Sequence, residues 1–144
     1  MSPRAPRPGP ARPRPSILVV EDEDAVREVI LEFLARSGFE GRGLSTGGDA
    51  LKRLAEDAAA PDLVLLDWSL PGVSGADLYS AIRDRWPFTE VVVLSGRPRA
   101  ELRLRGPAPA LILQKPIGMR PLIQAIRSVL DGEPTETGAA RESA

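Results

Sequence analysis

The chain has 144 residues, 19 basic and 20 acidic side chains for a formal net charge of −1, and neither cysteine nor histidine. That length suffices for one domain with a substantial core, while disulfides, thiolate metal sites, cysteine nucleophiles and a Ser-His-Asp triad are excluded. The charge balance gives no global attraction to nucleic acid, a reducing compartment is permitted, and no apolar run reaches the about 18 residues needed to span a membrane.

Residues 1–15 carry six prolines and four arginines with no apolar stretch before Pro15. They read as a disordered or polyproline-like arm and not as a secretory signal; a basic tether is the functional alternative. Ile17–Val20 predicts a first strand running into Glu21-Asp22. Val26, Val29, Ile30, Phe33 and Leu34 then have the spacing of an amphipathic helix, with Asp24 as cap and Gly38 as stop. Phe39–Leu44 is a weak second strand. Ala50, Leu51, Leu54, Ala55 and Ala58 predict a second helix that ends before Pro61.

Leu63–Leu66 predicts a third strand that stops on Asp67. The turn Leu70-Pro71-Gly72-Val73-Ser74-Gly75 leads into a helix bearing Leu78, Tyr79 and Ile82. Val91–Leu94 forms a fourth strand ending on Ser95. The next segment is irregular: Ala100, Leu102 and Leu104 alternate with Glu101, Arg103 and Arg105, a period of two. Pro98 suits a first helical turn, but Gly106-Pro107-Ala108-Pro109 forces a stop, so a short, distorted or mobile helix is expected. Leu111–Gln114 predicts a fifth strand leading to Lys115-Pro116. Leu122, Ile123, Ile126, Val129 and Leu130 make a final helix, and residues 131–144 read as a polar tail.

Unbroken Val/Ile/Leu runs are strands buried on both faces, hence a parallel sheet with helical crossovers. The ligand site of such a sheet lies beyond the carboxyl ends of its strands. There Glu21, Asp22, Asp67, Ser95 and Lys115 converge. Crowded carboxylates require a cation, and carboxylate oxygens with water are Mg²⁺ chemistry. A carboxylate beside Mg²⁺ can attack a phosphoryl group, whose spread negative charge needs the metal and a lysine around it. Lys115 is one of two lysines against 17 arginines, and a compact ammonium fits a space too small for a guanidinium.

Taken singly, each feature has an ordinary explanation. Lys-Pro reads as a charge before a turn, Ser-Gly as a turn, Glu21–Asp24 as acidic decoration of a helix start, and Asp67 as a loop cap. All four features fall at one edge of one sheet, which the ordinary explanations do not account for. Ile17–Asp24 (ILVVEDED), Asp62–Gly75 (DLVLLDWSLPGVSG), Val91–Gly96 (VVVLSG) and Leu113–Ile117 (LQKPI) together resemble the receiver domain of two-component response regulators, over about residues 16–130. The Ser-Gly and Leu-Gln-Lys-Pro wording is similar to receivers attached to hybrid histidine kinases.

The resemblance implies a flavodoxin-like α/β fold with a five-stranded parallel sheet in order 2-1-3-4-5, two helices on one face and three on the other. It implies Asp67 as phosphoacceptor, Asp22 as direct Mg²⁺ ligand, Glu21 acting through a water, and the backbone carbonyl of Ser69 completing the protein's share of the metal shell. Ser95 would be the switch hydroxyl and Lys115 the phosphate-pairing lysine, followed by a Pro116 peptide that is often cis. The implied donor is a phosphohistidine on a histidine kinase or histidine phosphotransfer protein, and the implied setting is cytoplasmic. The chain would be a regulatory phosphoacceptor and not an enzyme in its own right.

Three features depart from the family pattern. Ile112 stands where a switch aromatic is often found, the interval from Ser95 to Lys115 is short, and Arg97 places a cation near the site mouth. The residues after 130 are too few for a helix-turn-helix domain, so direct DNA binding is not expected. Output is expected through protein contacts with an unknown partner at the face around the fourth helix, fifth strand and fifth helix, which Arg97, Arg99, Arg103 and Arg105 would make basic. Rival readings are a receiver-fold module acting without phosphorylation and an aspartyl-phosphate phosphatase. The phosphatase would need a second Asp where Trp68-Ser69 stands.

Overall fold

The computed structural model describes residues 14–56 and 59–132. Expectations for the arm before Arg14, for Ala58 and for the tail beyond Gly132 lie outside those residues. Strands β1 (Ser16–Val20), β2 (Glu40–Leu44), β3 (Leu63–Asp67), β4 (Glu90–Ser95) and β5 (Leu111–Gln114) pair in parallel in the order β2-β1-β3-β4-β5. Helices α1 (Asp24–Arg36), α2 (Gly47–Ala55), α3 (Gly75–Arg85) and α4 (Met119–Leu130) connect or follow them.

The apolar runs are uninterrupted because the sheet has a core on each face. Ile17, Val19, Leu63, Leu65, Val92 and Leu94 pack with Ile30 and Leu34 of α1 and Leu122 and Ile126 of α4. The alternate residues Leu18, Val20, Val64, Leu66, Val91 and Val93 pack with Leu54 of α2 and Leu78, Tyr79 and Ile82 of α3. Successive strand side chains point to opposite faces, so one five-residue run supplies both cores.

Helix α1 departs from its expected stripe. Ile30 and Leu34 are buried, whereas Val26, Val29 and Phe33 remain 36%, 42% and 37% exposed. The glycines of β2 explain the rotation. A Cβ on Gly41 would lie 2.9 Å from Leu31 Cδ2, and one on Gly43 would lie 2.8 Å from Arg27 Cδ. With no side chains at those positions, α1 settles its Arg27–Leu31–Leu34 side onto the edge strand. The cap also differs from expectation: Glu23 is the N-cap, without a side-chain hydrogen bond, and Asp24 is the first helical residue. Thr46 and Ser74 cap α2 and α3, accepting from Asp49 N–H and Asp77 N–H. Strand β2 begins at Glu40, one residue after the predicted start.

The β4–β5 connection holds one 3-10 turn, Arg99–Glu101, in place of a fourth crossover helix. Beyond it Leu102 is extended (φ −84°, ψ 131°), Leu102 is buried and Leu104 half-buried in the α2–α3 core, and Arg103 and Arg105 are exposed. Alternating side chains are satisfied by an extended strap and would be split across a helix. The buried Tyr79 hydroxyl donates to Pro107 O at 2.6 Å, pinning the end of the strap to α3; burial raises the phenol above its usual pKa. The sheet and four helices position every strand end discussed below.

Candidate functional site

The β1 chain delivers a buried Glu21 and an exposed Asp22 to the carboxyl edge of the sheet, and β3 delivers a buried Asp67 beside them. Each of the three offers a carboxylate oxygen within 4.8 Å of the others. Glu21 is held from several sides: its N–H donates to Leu44 O at 3.0 Å, its carbonyl accepts from Arg27 Nη1 at 2.8 Å, and its Oε2 accepts from Glu23 N–H at 3.1 Å. Its Oε1 is buried with no hydrogen-bond partner. Desolvation raises the Glu21 pKa; the Glu23 N–H opposes this, Asp67 adds to it, Lys115 opposes it and Asp22 adds to it.

Lys115 stands on the loop after β5, whose start is fixed by its own N–H donating to Ser95 O at 2.7 Å. Its Nζ lies 3.1 Å from Asp67 Oδ1 and 3.8 Å from Glu21 Oε1. The ammonium therefore compensates the two buried carboxylates. The peptide bond that follows, Lys115–Pro116, is cis. Asp67 Oδ1 also accepts from Ser69 N–H at 3.1 Å, which ties the phosphoacceptor candidate to the turn after β3.

Ser95 is fully buried at the end of β4. Its hydroxyl is occupied locally, donating to Arg97 O at 3.0 Å and accepting from Arg97 N–H at 2.9 Å. The structure thus gathers Glu21, Asp22, Asp67 and Lys115 into one cluster and puts Ser95 on the neighbouring strand end with its hydroxyl turned to its own loop.

The donor set fits a hard divalent cation. Three carboxylates supply oxygens alone, one of those oxygens is an orphan buried inside the cluster, and no nitrogen or sulfur ligand competes; this is the ligand chemistry of Mg²⁺.

Two supporting features were not anticipated from sequence. Arg27 bridges Glu21 O and, at 2.6 Å, Asp24 Oδ1. Trp68, next to Asp67, lies against Gly75, where an added Cβ would meet ring atoms at 2.5–2.9 Å. The Gly-x-Gly pattern in β2 and the glycine opening α3 are their only traces in the sequence.

Comparison with known proteins agrees with this geometry. The family model described as response regulator receiver domain matches residues 17–127. The chain is 37% identical over 121 residues to the phosphate regulon transcriptional regulatory protein PhoB of Rhizobium meliloti (strain 1021), covering 81% of this chain and 52% of that relative. It spans about half the length of the curated relatives it matches. Among solved structures, the receiver domain of the hybrid histidine kinase CckA superposes with a TM-score of 0.66 at 32% identity, covering 80% of this chain and 98% of that one. The response regulator TrrA of Thermotoga maritima, solved in complex with Mg²⁺-BeF, gives 0.65 at 27% identity, covering 79% and 97%. Carboxylate cluster, lysine, strand order and family match coincide, and the chain belongs to the response regulator receiver domain family.

Proposed function

We propose that Asp67 accepts a phosphoryl group from a phosphohistidine on a histidine kinase or histidine phosphotransfer protein. The observation that carries this reading is the contact of Lys115 Nζ with Asp67 Oδ1 at 3.1 Å inside a cluster of three carboxylates. Asp22 and Asp67 would hold Mg²⁺ directly with the Ser69 carbonyl, and Glu21 would act through a water. Bound there, Mg²⁺ would neutralise the cluster and the negative charge of the incoming group. An Asp67 carboxylate oxygen forms the new bond to phosphorus as the donor's P–N bond breaks, and the imidazole leaves with the electron pair and takes up a proton. Lys115 moves from compensating Asp67 to pairing with a phosphoryl oxygen. Ser95 binds a second oxygen by giving up its contact with Arg97 O.

A protein donor is supported by Val26, Val29 and Phe33, an exposed apolar row along the helix that starts beside the site. The domain acts as a regulatory phosphoacceptor in the cytoplasm. Among the described residues no helix is long and apolar enough to cross a membrane.

The strap supplies the output surface in this reading. Arg103 and Arg105 project from it, and its path begins at the Ser95–Arg97 contacts, so a change at Ser95 reaches a basic edge suited to an acidic protein partner. Replacing both arginines with Glu is expected to weaken partner capture at least about tenfold at low salt, with Asp67 labelling intact. Equal affinity of both forms for every partner recovered with the wild type would remove this surface from consideration.

The central reading is tested by exposing the protein to Mg²⁺ and a small acyl phosphate, comparing wild type with Asp67→Asn. One acid-stable, base-labile phosphoryl group on the wild type alone is expected. Equal labelling of both would refute Asp67 as acceptor, and labelling of neither would favour an interaction module that works without phosphorylation. Rapid turnover of phosphomonoesters would favour the phosphatase reading instead.

A further inference from the structure

Arg27 serves neither of the cores nor the phosphoryl chemistry, yet it is largely buried for an arginine: its side chain is 16% exposed. Its guanidinium divides between two partners on the acidic loop. Nη1 donates to the Glu21 carbonyl at 2.8 Å and Nη2 to Asp24 Oδ1 at 2.6 Å. These partners flank Asp22, so the fork spans the loop that presents the directly coordinating carboxylate. The aliphatic stem lies over β2 at Gly43, with Cδ and Cγ at 2.8 and 3.1 Å from where a Cβ would stand and Leu31 Cδ1 beside them at 3.0 Å. On the other side of the same residue, the Glu21 N–H is fixed to Leu44 O. Main-chain N–H and carbonyl of Glu21 are therefore both anchored to the β2 side of the site.

We propose that Arg27 is a positioning residue for the cation site, and that Gly43 exists as the seat for its stem. The guanidinium sets the path of Glu21–Asp24, so that Glu21 and Asp22 aim their carboxylates toward Asp67 before the cation arrives. A planar fork can satisfy the carbonyl and the carboxylate together, while an ammonium is a single point charge that cannot hold the same two positions in fixed geometry. Losing a group that orients metal ligands from behind typically costs about 10- to 100-fold in affinity. This role rests on the Mg²⁺ reading above.

The test is calorimetric titration of the full chain with Mg²⁺, with thermal melts of the same metal-free samples. Arg27→Ala is expected to weaken Mg²⁺ binding by about tenfold. Arg27→Lys keeps the stem and charge but not the fork, and falls between the two. Gly43→Ala displaces the stem with the guanidinium chemistry intact and reproduces part of the loss; in an Arg27→Ala background it adds little. A purely structural role would lower the melting temperature while leaving the affinity of the folded protein unchanged, which would overturn the proposal. If Arg27→Ala does not fold, unchanged affinity in Arg27→Lys overturns it equally. Asp22→Asn separates the two levels. Loss of binding there with wild-type affinity in Arg27→Ala removes the role of Arg27 alone, whereas absence of binding by the wild type removes the cation site and this role with it.

Discussion

Lys115→Met is expected to slow labelling of Asp67 by a small acyl phosphate by about 100-fold at saturating Mg²⁺, the usual cost of losing one pre-placed group that faces developing charge. Methionine preserves the length and packing of the stem and removes only the ammonium. That ammonium is 3.1 Å from Asp67 Oδ1 and 3.8 Å from Glu21 Oε1, so it meets the transferred group without a large rearrangement. The same substitution leaves two buried carboxylates without their cation in the metal-free state, and the melting temperature should fall more without Mg²⁺ than with it. Lys115→Arg should not restore the rate, because a guanidinium spreads its charge over a planar fork and does not place it as a single point beside Asp67. Initial rates of phosphoryl incorporation measure this directly. A Lys115→Met rate within about threefold of wild type would mean that the lysine only balances resting charge.

The second large effect is expected at Gly75, where the cost is steric. Alanine normally favours a helix over glycine by about 1 kcal/mol, and Gly75 opens α3 with an ordinary negative φ. Intrinsic preference therefore argues for stabilisation by Gly75→Ala. Packing argues the other way and wins: the new methyl would fall 2.5 Å from Trp68 Cδ2 and 2.8 and 2.9 Å from two further ring carbons. A fused ring yields only as a body, and its backbone is held by the Trp68 N–H bond to Leu94 O at 2.8 Å. We expect a net loss of about 1–2 kcal/mol and a melting temperature lower by about 3–8 °C, with altered Trp68 emission. Because Trp68 adjoins Asp67, labelling should slow as well. A melting temperature equal to or above wild type would mean that the indole slides outward freely and that the contact carries no strain.

Much of this site was legible in the sequence for a simple reason. In a parallel sheet buried on both faces, the first polar residue after each apolar run marks the same edge, so Glu21, Asp22, Asp67, Ser95 and Lys115 could be gathered by strand logic. The period-two alternation of Arg99–Arg105 likewise pointed to a short, distorted or mobile helix there, but not to a single 3-10 turn followed by an extended Leu102. What escaped prediction depends on how surfaces approach one another. The exposure of Val26, Val29 and Phe33 follows from the close seating of α1 on Gly41 and Gly43, and a hydrophobic period cannot report the rotation of a helix over a strand without side chains. Arg27 was invisible for the same reason: its partners are a main-chain carbonyl and a neighbouring acid, neither of which leaves a pattern. The hydroxyl of Ser95 was placed correctly on its strand, but its engagement with Arg97 is a local loop geometry that composition does not encode.

The way α4 returns along the sheet has a practical meaning. Arg127 near its end donates to Ser37 O at 3.1 Å and sits over the Phe39 ring at 5.1 Å, next to the start of β2. Leu130 therefore finishes at the same end as Ser16, where the strands begin, and the carboxylates stand at the far end. Anything joined ahead of Ser16 or after Leu130, such as a fluorophore, a surface tether or a second domain, departs from the pole opposite the reacting carboxylate. The two ends of the described domain, Ser16 and Leu130, thus leave its reactive face open to an incoming macromolecule.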